Sequence, residues 1–154
     1  MDIKMNNKNK NSQGQCYCGT VKFKIELPVD FCAHCHCESC RRSHAVPFVT
    51  WTSVPLKQFS YISGEDNLSW YRSSEWIVWG FCKTCGSSML YQAEKSGHPE
   101  SPKTDRIYIA VGCLSEPIDK EPGAHVSYEE KVPWTHFSDT LPKYRGNGEE
   151  EISS

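Results

Sequence analysis

Cys32-Ala-His-Cys-His-Cys-Glu-Ser-Cys-Arg-Arg42 is a dense run of possible metal ligands near the start of the chain. Within it, Cys35, Cys37 and Cys40 form a C-x-C-x2-C pattern. Thiolates at this spacing can bind one soft cation without closing a long loop, and zinc is the usual occupant. Two histidines and two arginines place acid–base groups and positive charge beside such a metal. The pattern predicts that this segment is the reactive centre, which the rest of the chain holds in place.

A second set of cysteines is divided between two distant segments. One pair is C-x-C, the other is C-x2-C, and each is followed directly by a glycine, Gly19 or Gly86. Glycine allows the tight turn that aims backbone amides at the sulfurs. Together the pairs supply four thiolates, the set typical of a closed, tetrahedral structural zinc site. The predicted ligands of this structural zinc are Cys16, Cys18, Cys82 and Cys85.

The central cysteines are then one ligand short of a tetrahedral site. Three protein ligands with an open fourth position are the arrangement of a catalytic zinc. If His36, His34 or Cys32 supplied a fourth ligand, the second site would be structural as well, and the sequence leaves both alternatives open. In the catalytic alternative, the residues that hold the reacting zinc are Cys35, Cys37 and Cys40.

An open site with three thiolates favours a particular chemistry. Three thiolates overcompensate the charge of Zn²⁺, so the metal is a weaker Lewis acid than one held by neutral imidazoles, and activation of water is disfavoured. Binding of a thiol substrate as a nucleophilic thiolate is favoured instead. Arg41 and Arg42 are predicted to bind carboxylates of that substrate, because arginine recognises planar anions; ordinary surface charge is the alternative. Trp51 is predicted to form a wall of the pocket.

The remaining candidates in and near the central segment are histidines and unassigned cysteines. His34 and His36 flank Cys35, so in an extended backbone their side chains point away from it. His36 is the candidate for a catalytic proton shuttle, and a hydrogen bond that orients a metal ligand is the alternative. Cys32 and Cys113 fall outside both sets and are predicted to be buried free thiols.

Composition limits the compartment and the partners. The chain has 154 residues and nine cysteines, an odd count that does not suit a disulfide framework. Residues 1–12 are polar, without the apolar block of a secretory signal, and no apolar run approaches the length of a membrane span. We therefore expect a cytoplasmic protein that does not enter a membrane. The net charge of −2 disfavours nucleic acid as the main partner.

Alternating apolar residues predict a mainly β domain. Val21, Phe23 and Ile25 lie on one face of a strand over residues 20–26, and the segment 106–111 alternates in the same way. No segment sustains a helical period over several turns, and short strands recur with turn residues between them. We expect one ordered domain over residues 14–144, a disordered arm over 1–13 and an acidic disordered tail over 145–154.

Several motifs occur together in a fixed order. They are Gly14-x-Cys16-x-Cys18-Gly19-x-Val21-x-Phe23, His34-Cys-His-Cys-x2-Cys-Arg-Arg42, Pro47-Phe-Val-Thr-Trp51, Phe81-Cys-x2-Cys-Gly-Ser87, His125, Lys131-Val-Pro-Trp134 and Leu141-Pro142. In combination they resemble the glutathione-dependent formaldehyde-activating (GFA) family, which includes centromere protein V. The resemblance covers about residues 14–144. Ser127, Glu130 and Ala45 depart from the family pattern, which would bear on the substrate if these residues line its pocket.

The resemblance implies a fold, two cofactors and a reaction. The implied fold is a β-tent of several small antiparallel sheets, with a four-cysteine structural zinc site and a three-cysteine catalytic one. The family's named reaction adds glutathione to formaldehyde and gives S-(hydroxymethyl)glutathione, so the chain is expected to be a carbon–sulfur lyase with a small thiol as its partner. A non-catalytic zinc-binding interaction module is one alternative. A thiol-redox protein whose central cysteines form a disulfide is another.

Overall fold

This computed structural model describes residues 10–95 and 103–153. The described chain is built mainly of short strands, with one α-helix, α1 (Glu38–His44), and 3₁₀ turns at Leu56–Gln58, Glu65–Asn67, Val111–Cys113 and Tyr128–Glu130. The strands are β1 (Asn11–Gln15), β2 (Lys22–Glu26), β3 (Cys32–Cys35), β4 (Val49–Pro55), β5 (Phe59–Ser63), β6 (Leu68–Arg72), β7 (Ile77–Cys82), β8 (Ser88–Ala93), β9 (Arg106–Ala110), β10 (His125–Val126), β11 (Tyr144–Arg145) and β12 (Glu150–Glu151).

These strands form three sheets. The largest has seven strands in the order β10-β3-β4-β9-β8-β7-β6, a second has the order β1-β2-β5, and β11 pairs with β12. All pairings are antiparallel except that of β10 with β3, which is parallel. The predicted mainly β fold of several sheets is confirmed.

The main apolar core lies between the three-stranded and the seven-stranded sheets. Val21, Phe23 and Ile25 are fully buried there, which confirms the alternation predicted for this strand. They pack with apolar residues of the larger sheet such as Leu90 and Ile109. Burial of such side chains contributes about 1.5–3 kcal/mol each to folding. The core thus holds the N-terminal segment, with two of its cysteines, against the middle of the chain.

The structure differs from the predicted domain boundaries at both ends. Strand β1 begins at Asn11, inside the segment expected to be disordered, because it pairs with β2 through its backbone and needs no apolar alternation. Its buried Ser12 donates a hydrogen bond to the Glu116 carbonyl oxygen (2.8 Å). In the predicted tail, β11 and β12 form a hairpin in which Arg145 contacts Glu150 (3.3 Å). Residues 1–9 of the predicted arm lie outside the described residues.

The central cysteine segment, residues 32–42, has regular secondary structure over most of its length. Its first part is strand β3, which pairs with β4 on one side and β10 on the other. Its second part is helix α1, which begins one residue after Cys37. A strand followed at once by a helix fixes the three cysteines on regular elements. In the described residues, no helix has the length and apolar character needed to cross a membrane.

Candidate functional site

The first candidate metal centre, called here the four-cysteine cluster, consists of Cys16, Cys18, Cys82 and Cys85. All four sulfurs lie within 4.8 Å of one another. The Sγ atoms of Cys16 and Cys18 are 3.6 Å apart, and those of Cys18 and Cys82 are 3.8 Å apart. Four thiolates at the usual Zn–S distance would be separated by about 3.8 Å along each edge of the tetrahedron. The donor set and its spacing therefore fit a zinc ion.

Two turns bring these sulfurs together. Gly19 and Gly86 have φ angles of 78° and 76°, in the left-handed region that glycine adopts without strain. The backbone amide of Val21 donates a hydrogen bond to Cys16 Sγ (3.3 Å), and Asn67 Nδ2 donates one to Cys82 Sγ (3.3 Å). Because one turn precedes β2 and the other follows β7, a metal ion here would link the two larger sheets.

The second candidate metal centre, the three-cysteine cluster, consists of Cys35, Cys37 and Cys40. Their sulfurs also lie within 4.8 Å of one another, and those of Cys35 and Cys40 are 3.6 Å apart. Cys35 ends β3, Cys37 is the N-cap of α1, and Cys40 lies in the first turn of that helix. Cys37 Sγ accepts a hydrogen bond from the Cys40 amide (3.3 Å), as an N-cap side chain does. The spacing and the soft donor set again fit zinc.

No fourth ligand completes this cluster among residues 10–95 and 103–153: no further histidine, cysteine or carboxylate donor joins the three sulfurs within 4.8 Å. His34 Nδ1 instead forms a hydrogen bond with Thr50 Oγ1 (2.8 Å), and His36 Nε2 forms one with His125 Nδ1 (2.9 Å). Cys32 is a free thiol outside the cluster. This arrangement corresponds to the alternative with an open fourth position.

The pKa values of the three thiols in this cluster depend on one another. Hydrogen bonds from Cys35 and Cys40 lower the pKa of Cys37 to about 3. The interaction with Cys37 in turn raises the pKa of Cys35 to about 12, and the pKa of Cys40 is raised through its hydrogen bond with Cys35. One sulfur can therefore ionise at the expense of the other two. A bound dication removes this restriction because it favours all three thiolates.

A large cavity of about 1370 Å³ opens beside the three-cysteine cluster, whose three residues form part of its wall. It exceeds the range of roughly 300–1,000 Å³ that is usual for small-molecule sites. The adjoining wall is aromatic and consists of Phe31, Trp51, Trp79, Tyr91 and Tyr108. A ligand could therefore lie against apolar rings while one end reaches the sulfurs.

Trp51 connects this wall to the cluster. It is 3% exposed, and its Nε1–H donates a hydrogen bond to Cys40 Sγ (3.2 Å). Such a bond orients a ligand sulfur and reduces its charge. Trp51 also lines the cavity, and its contact with substrate stays a prediction.

The cavity also carries charged residues away from the sulfurs. Arg106 pairs with Asp30 (2.9 Å) and Asp105 (3.0 Å), and Lys120 Nζ donates a hydrogen bond to the Val29 carbonyl oxygen (2.7 Å). Arg106 and Lys120 both line the cavity, together with Lys103. The charged part of the lining is therefore mixed, because Asp30 and Glu121 line the same cavity and Arg106 is already paired with carboxylates.

Arg41 and Arg42, predicted to bind substrate carboxylates, do not line this cavity. Arg41 Nε donates a hydrogen bond to the backbone carbonyl of His36 (3.1 Å). Arg42 is exposed and pairs with Glu38 one turn earlier in α1 (2.6 Å). The structure thus places one arginine behind the cluster and the other on the surface, so their contact with substrate stays a prediction.

The two faces of β3 separate the cavity from the histidines. Ala33 and Cys35 line the cavity, whereas His34 and His36 do not. The parallel partner β10 continues this division, because its neighbour Ala124 and its own residue Val126 line the cavity while His125 points to the other side. The placement of His36 therefore favours the orienting role over proton transfer to substrate, and a catalytic role for this residue stays a prediction.

Behind the strand, His36 belongs to a buried chain of hydrogen bonds. His36 Nε2 lies 2.9 Å from His125 Nδ1, and His125 Nε2 lies 3.0 Å from Asp139 Oδ2. The Asp139 carboxylate accepts from Nε2–H of His125, so Nδ1 of His125 accepts from His36. Burial, reinforced by the nearby His125, lowers the pKa of His36 to about 4, so its ring is neutral at pH 7. These hydrogen bonds hold His36, and with it the backbone between Cys35 and Cys37, in place.

Sequence reasoning missed two features of this region. Asp139 lies in a polar C-terminal segment without periodicity, and its contact with His125 spans 14 residues. Tyr91 lines the cavity, but no motif in the sequence around it indicates a role at the site. A weak signal was present for His125, which matched the family motifs, but nothing in the sequence connected it to His36.

Comparison with known proteins agrees with this architecture. The family model described as glutathione-dependent formaldehyde-activating enzyme matches residues 11–130. The chain belongs to this family. It is also 32% identical over 94 residues to an uncharacterized lyase of Schizosaccharomyces pombe; the match covers 56% of this chain and 61% of that protein. The chain therefore matches less than two thirds of the length of this relative.

A solved structure shares the fold. It is the crystal structure of a Rhodobacter sphaeroides protein, 24% identical in sequence, with a TM-score of 0.53. The match covers 70% of this chain and 91% of the other. At this identity the likeness concerns the fold alone.

The three departures from the family pattern, Ser127, Glu130 and Ala45, are not among the residues that line the large cavity. Ala45 ends α1 with φ 52° and ψ 48°, the left-handed conformation in which glycine is favoured. An alanine at this position therefore adds backbone strain at the end of α1, which a glycine would avoid.

Proposed function

We propose that this GFA-family chain is a zinc-dependent carbon–sulfur lyase that acts on glutathione or a related thiol and its aldehyde adduct. The observation that carries the proposal is the three-cysteine cluster, which has no fourth donor in the described residues and opens onto a large cavity. The relative named as a lyase supports the reaction class. The two cysteine clusters would hold two zinc ions per chain.

The reaction joins a thiol to an aldehyde. The sulfur attacks the carbonyl carbon and a C–S bond forms; the π electrons of the C=O bond move to oxygen, which ends with the proton that the thiol has released. Zinc held by the three-cysteine cluster would favour the ionised form of the substrate thiol at neutral pH. Breakdown of the adduct is the same sequence in reverse.

The chain's own groups moderate the charge at this cluster. Trp51 donates to Cys40 Sγ, and the helix amide of Cys40 donates to Cys37 Sγ. Hydrogen bonds from N–H groups withdraw charge from the ligand sulfurs and hold them in place. The third ligand, Cys35, belongs to β3 and is fixed by strand pairing on both sides.

The cavity suits a thiol with an extended anionic body. Its aromatic wall gives the body of such a thiol an apolar surface to pack against. We infer that Lys103 and Lys120, which line the cavity, attract the carboxylates of the substrate, whereas Arg106 is already paired with Asp30 and Asp105. We propose that these two lysines take the part that the sequence assigned to Arg41 and Arg42.

Retention of free thiols requires a reducing compartment, and we propose the cytoplasm.

Titration of the thiol tests the proposal. The zinc content per chain is measured first, and glutathione is then titrated calorimetrically with and without formaldehyde. Because uncatalysed addition of thiols to formaldehyde is itself fast, turnover is measured by exchange NMR as the rate of interconversion of thiol and adduct above background. We expect two zinc ions per chain, saturable thiol binding and exchange that scales with protein concentration. Two zinc ions without thiol binding would contradict the proposal.

Cys37→Ser is the matched control, because serine preserves the N-cap of α1 while removing one ligand of the three-cysteine cluster. This variant should bind one zinc ion and show no exchange above background. If it retained full exchange, the cluster would not be the reacting site.

A further inference from the structure

The phenol of Tyr91 is held beside the three-cysteine cluster by its ring contacts. Tyr91 lies on β8, and its ring stacks on Tyr108 with centroids 4.3 Å apart and planes 5° from parallel. The Trp51 ring meets the Tyr91 ring edge-on, with centroids 4.7 Å apart, and the Trp79 and Tyr91 centroids are 5.3 Å apart. Contacts on several sides leave the ring little freedom to move. Its position in the cavity wall is therefore set before any ligand binds.

The ring of Tyr91 has several neighbours, but its hydroxyl group has no hydrogen-bond partner in the described residues. It forms no hydrogen bond with any residue of 10–95 or 103–153, whereas the neighbouring Tyr108 hydroxyl accepts one from the Lys103 amide (3.0 Å). In the same described residues, the fully buried side-chain polar atoms without a partner are limited to His44 Nε2. The Tyr91 hydroxyl is therefore accessible, and the space that its residue lines is the cavity. A tyrosine in an apolar wall ordinarily finds a partner, and here a ligand can supply it.

Trp51 connects the phenol to the three-cysteine cluster. The Trp51 ring meets the Tyr91 ring with centroids 4.7 Å apart, and its Nε1–H donates a hydrogen bond to Cys40 Sγ (3.2 Å). Because a phenol ordinarily has a pKa of about 10, the hydroxyl is protonated at neutral pH. Tyr91 is therefore a hydrogen-bond donor in the wall of the cavity that the cluster also lines, where negative charge develops on oxygen in the proposed reaction.

We propose that Tyr91 is a catalytic residue whose hydroxyl donates a hydrogen bond to the aldehyde-derived oxygen of the substrate. This inference rests on the proposed function. As the C–S bond forms, the electron pair of the C=O bond moves to that oxygen, and the phenol stabilises the growing charge. The oxygen ends with the proton released by the thiol, so Tyr91 keeps its own proton. In adduct breakdown, the same hydrogen bond is present while the C–S bond cleaves.

Tyr91→Phe tests the proposal, with Tyr61→Phe as its control. Both substitutions remove one hydroxyl and keep the ring, but Tyr61 lies on β5, packs against the main apolar core and does not line the cavity. In the exchange assay with glutathione and formaldehyde, we expect Tyr91→Phe to lower kcat by about 10²-fold, the usual effect of losing one donor to a developing oxyanion. Its KM, glutathione affinity and zinc content should stay within about twofold of the wild type, since the donor acts on the transition state. Tyr61→Phe should retain the wild-type kcat.

The possible outcomes separate this inference from the proposed function. If the wild type catalyses exchange and Tyr91→Phe does so at the same kcat, the role of Tyr91 is refuted and the proposed function stands. If Tyr91→Phe loses zinc or thiol binding in proportion to kcat, the hydroxyl is structural and the inference is likewise overturned. If the wild type itself shows no exchange above background, the proposed function fails and the role of Tyr91 fails with it.

Discussion

The four-cysteine and the three-cysteine clusters hold their sulfurs at nearly equal spacing, with separations of 3.6–3.8 Å in the first and 3.6 Å in the second. Their surroundings differ. The first lies between two glycine turns that belong to different sheets, and it has a full tetrahedral set of donors. The second ends a strand and begins a helix, lacks a fourth donor in the described residues and forms part of a large cavity. Ligand number and access, more than ligand type, distinguish a structural site from a reactive one.

Each cluster also receives one N–H···S hydrogen bond from a side chain. Asn67 donates to Cys82 in the first cluster, and Trp51 donates to Cys40 in the second. Asn67 additionally bonds Thr84, so it ties the turn together, whereas Trp51 belongs to the cavity wall. The same type of bond thus stabilises a turn in one case and connects a ligand to the substrate space in the other.

Removal of one ligand from each cluster should produce the largest contrast. Cys82 is fully buried, and its loss would leave a set of three donors at a site that joins two sheets. Zinc binding in such sites contributes on the order of 10 kcal/mol that is coupled to folding. We therefore expect Cys82→Ser to abolish the cooperative thermal unfolding transition, as measured by circular dichroism.

The corresponding change in the three-cysteine cluster should leave the fold intact. Cys37→Ser keeps an N-cap for α1, so we expect a loss of stability of about 1–3 kcal/mol, typical of a single substitution, together with complete loss of exchange activity. Chemical denaturation and the exchange assay measure the two effects separately. The comparison breaks down if Cys82→Ser unfolds cooperatively near the wild-type midpoint or if Cys37→Ser fails to fold.

The sequence predicted the grouping of the cysteines because most of the ligands are close neighbours along the chain. Short spacings limit which sulfurs can meet, and two pairs followed by glycine indicated one shared site. The mainly β fold followed from alternation in segments such as β2, and the resemblance supplied the family. The backbone of β1 escaped prediction because its pairing depends on main-chain hydrogen bonds, and its residues Asn-Ser-Gln-Gly-Gln carry no apolar pattern.

The cavity and the groups behind the cluster could not be predicted, because they depend on contacts across the sheet. Tyr91 meets Tyr108 through the register of β8 with β9. His36 meets His125 because β10 runs parallel to β3, and Asp139 then approaches from a segment with no regular structure. The position of α1 against β4 directs Arg42 away from the cavity. None of these pairings has a local signature in the chain.

The two N–H···S bonds offer a finer comparison of the clusters. We expect Trp51→Phe to weaken zinc binding at the three-cysteine cluster by about tenfold, the lower end of the effect of losing a partner that orients a metal ligand. Asn67→Leu should have a similar effect at the four-cysteine cluster. Competition with a chromophoric chelator measures both, because the two zinc ions should leave in distinct steps. Each variant serves as the control for the other, and a change at the wrong cluster would show that the sites are not independent.

The smallest expected effect concerns the end of α1, close to the three-cysteine cluster but outside its ligands. Ala45 adopts the left-handed conformation, in which a Cβ atom crowds the backbone, and its amide closes the helix by donating to the Arg41 carbonyl oxygen. Ala45→Gly removes this crowding, and although glycine raises the entropy of the unfolded chain, we expect a net gain of about 0.5 kcal/mol in unfolding free energy. Chemical denaturation of the zinc-loaded protein measures the gain. Zinc affinity at both clusters should stay unchanged, because the substitution alters neither the sulfurs nor their N–H donors; a shift in zinc affinity at the three-cysteine cluster alone would show that the helix end helps to set its geometry.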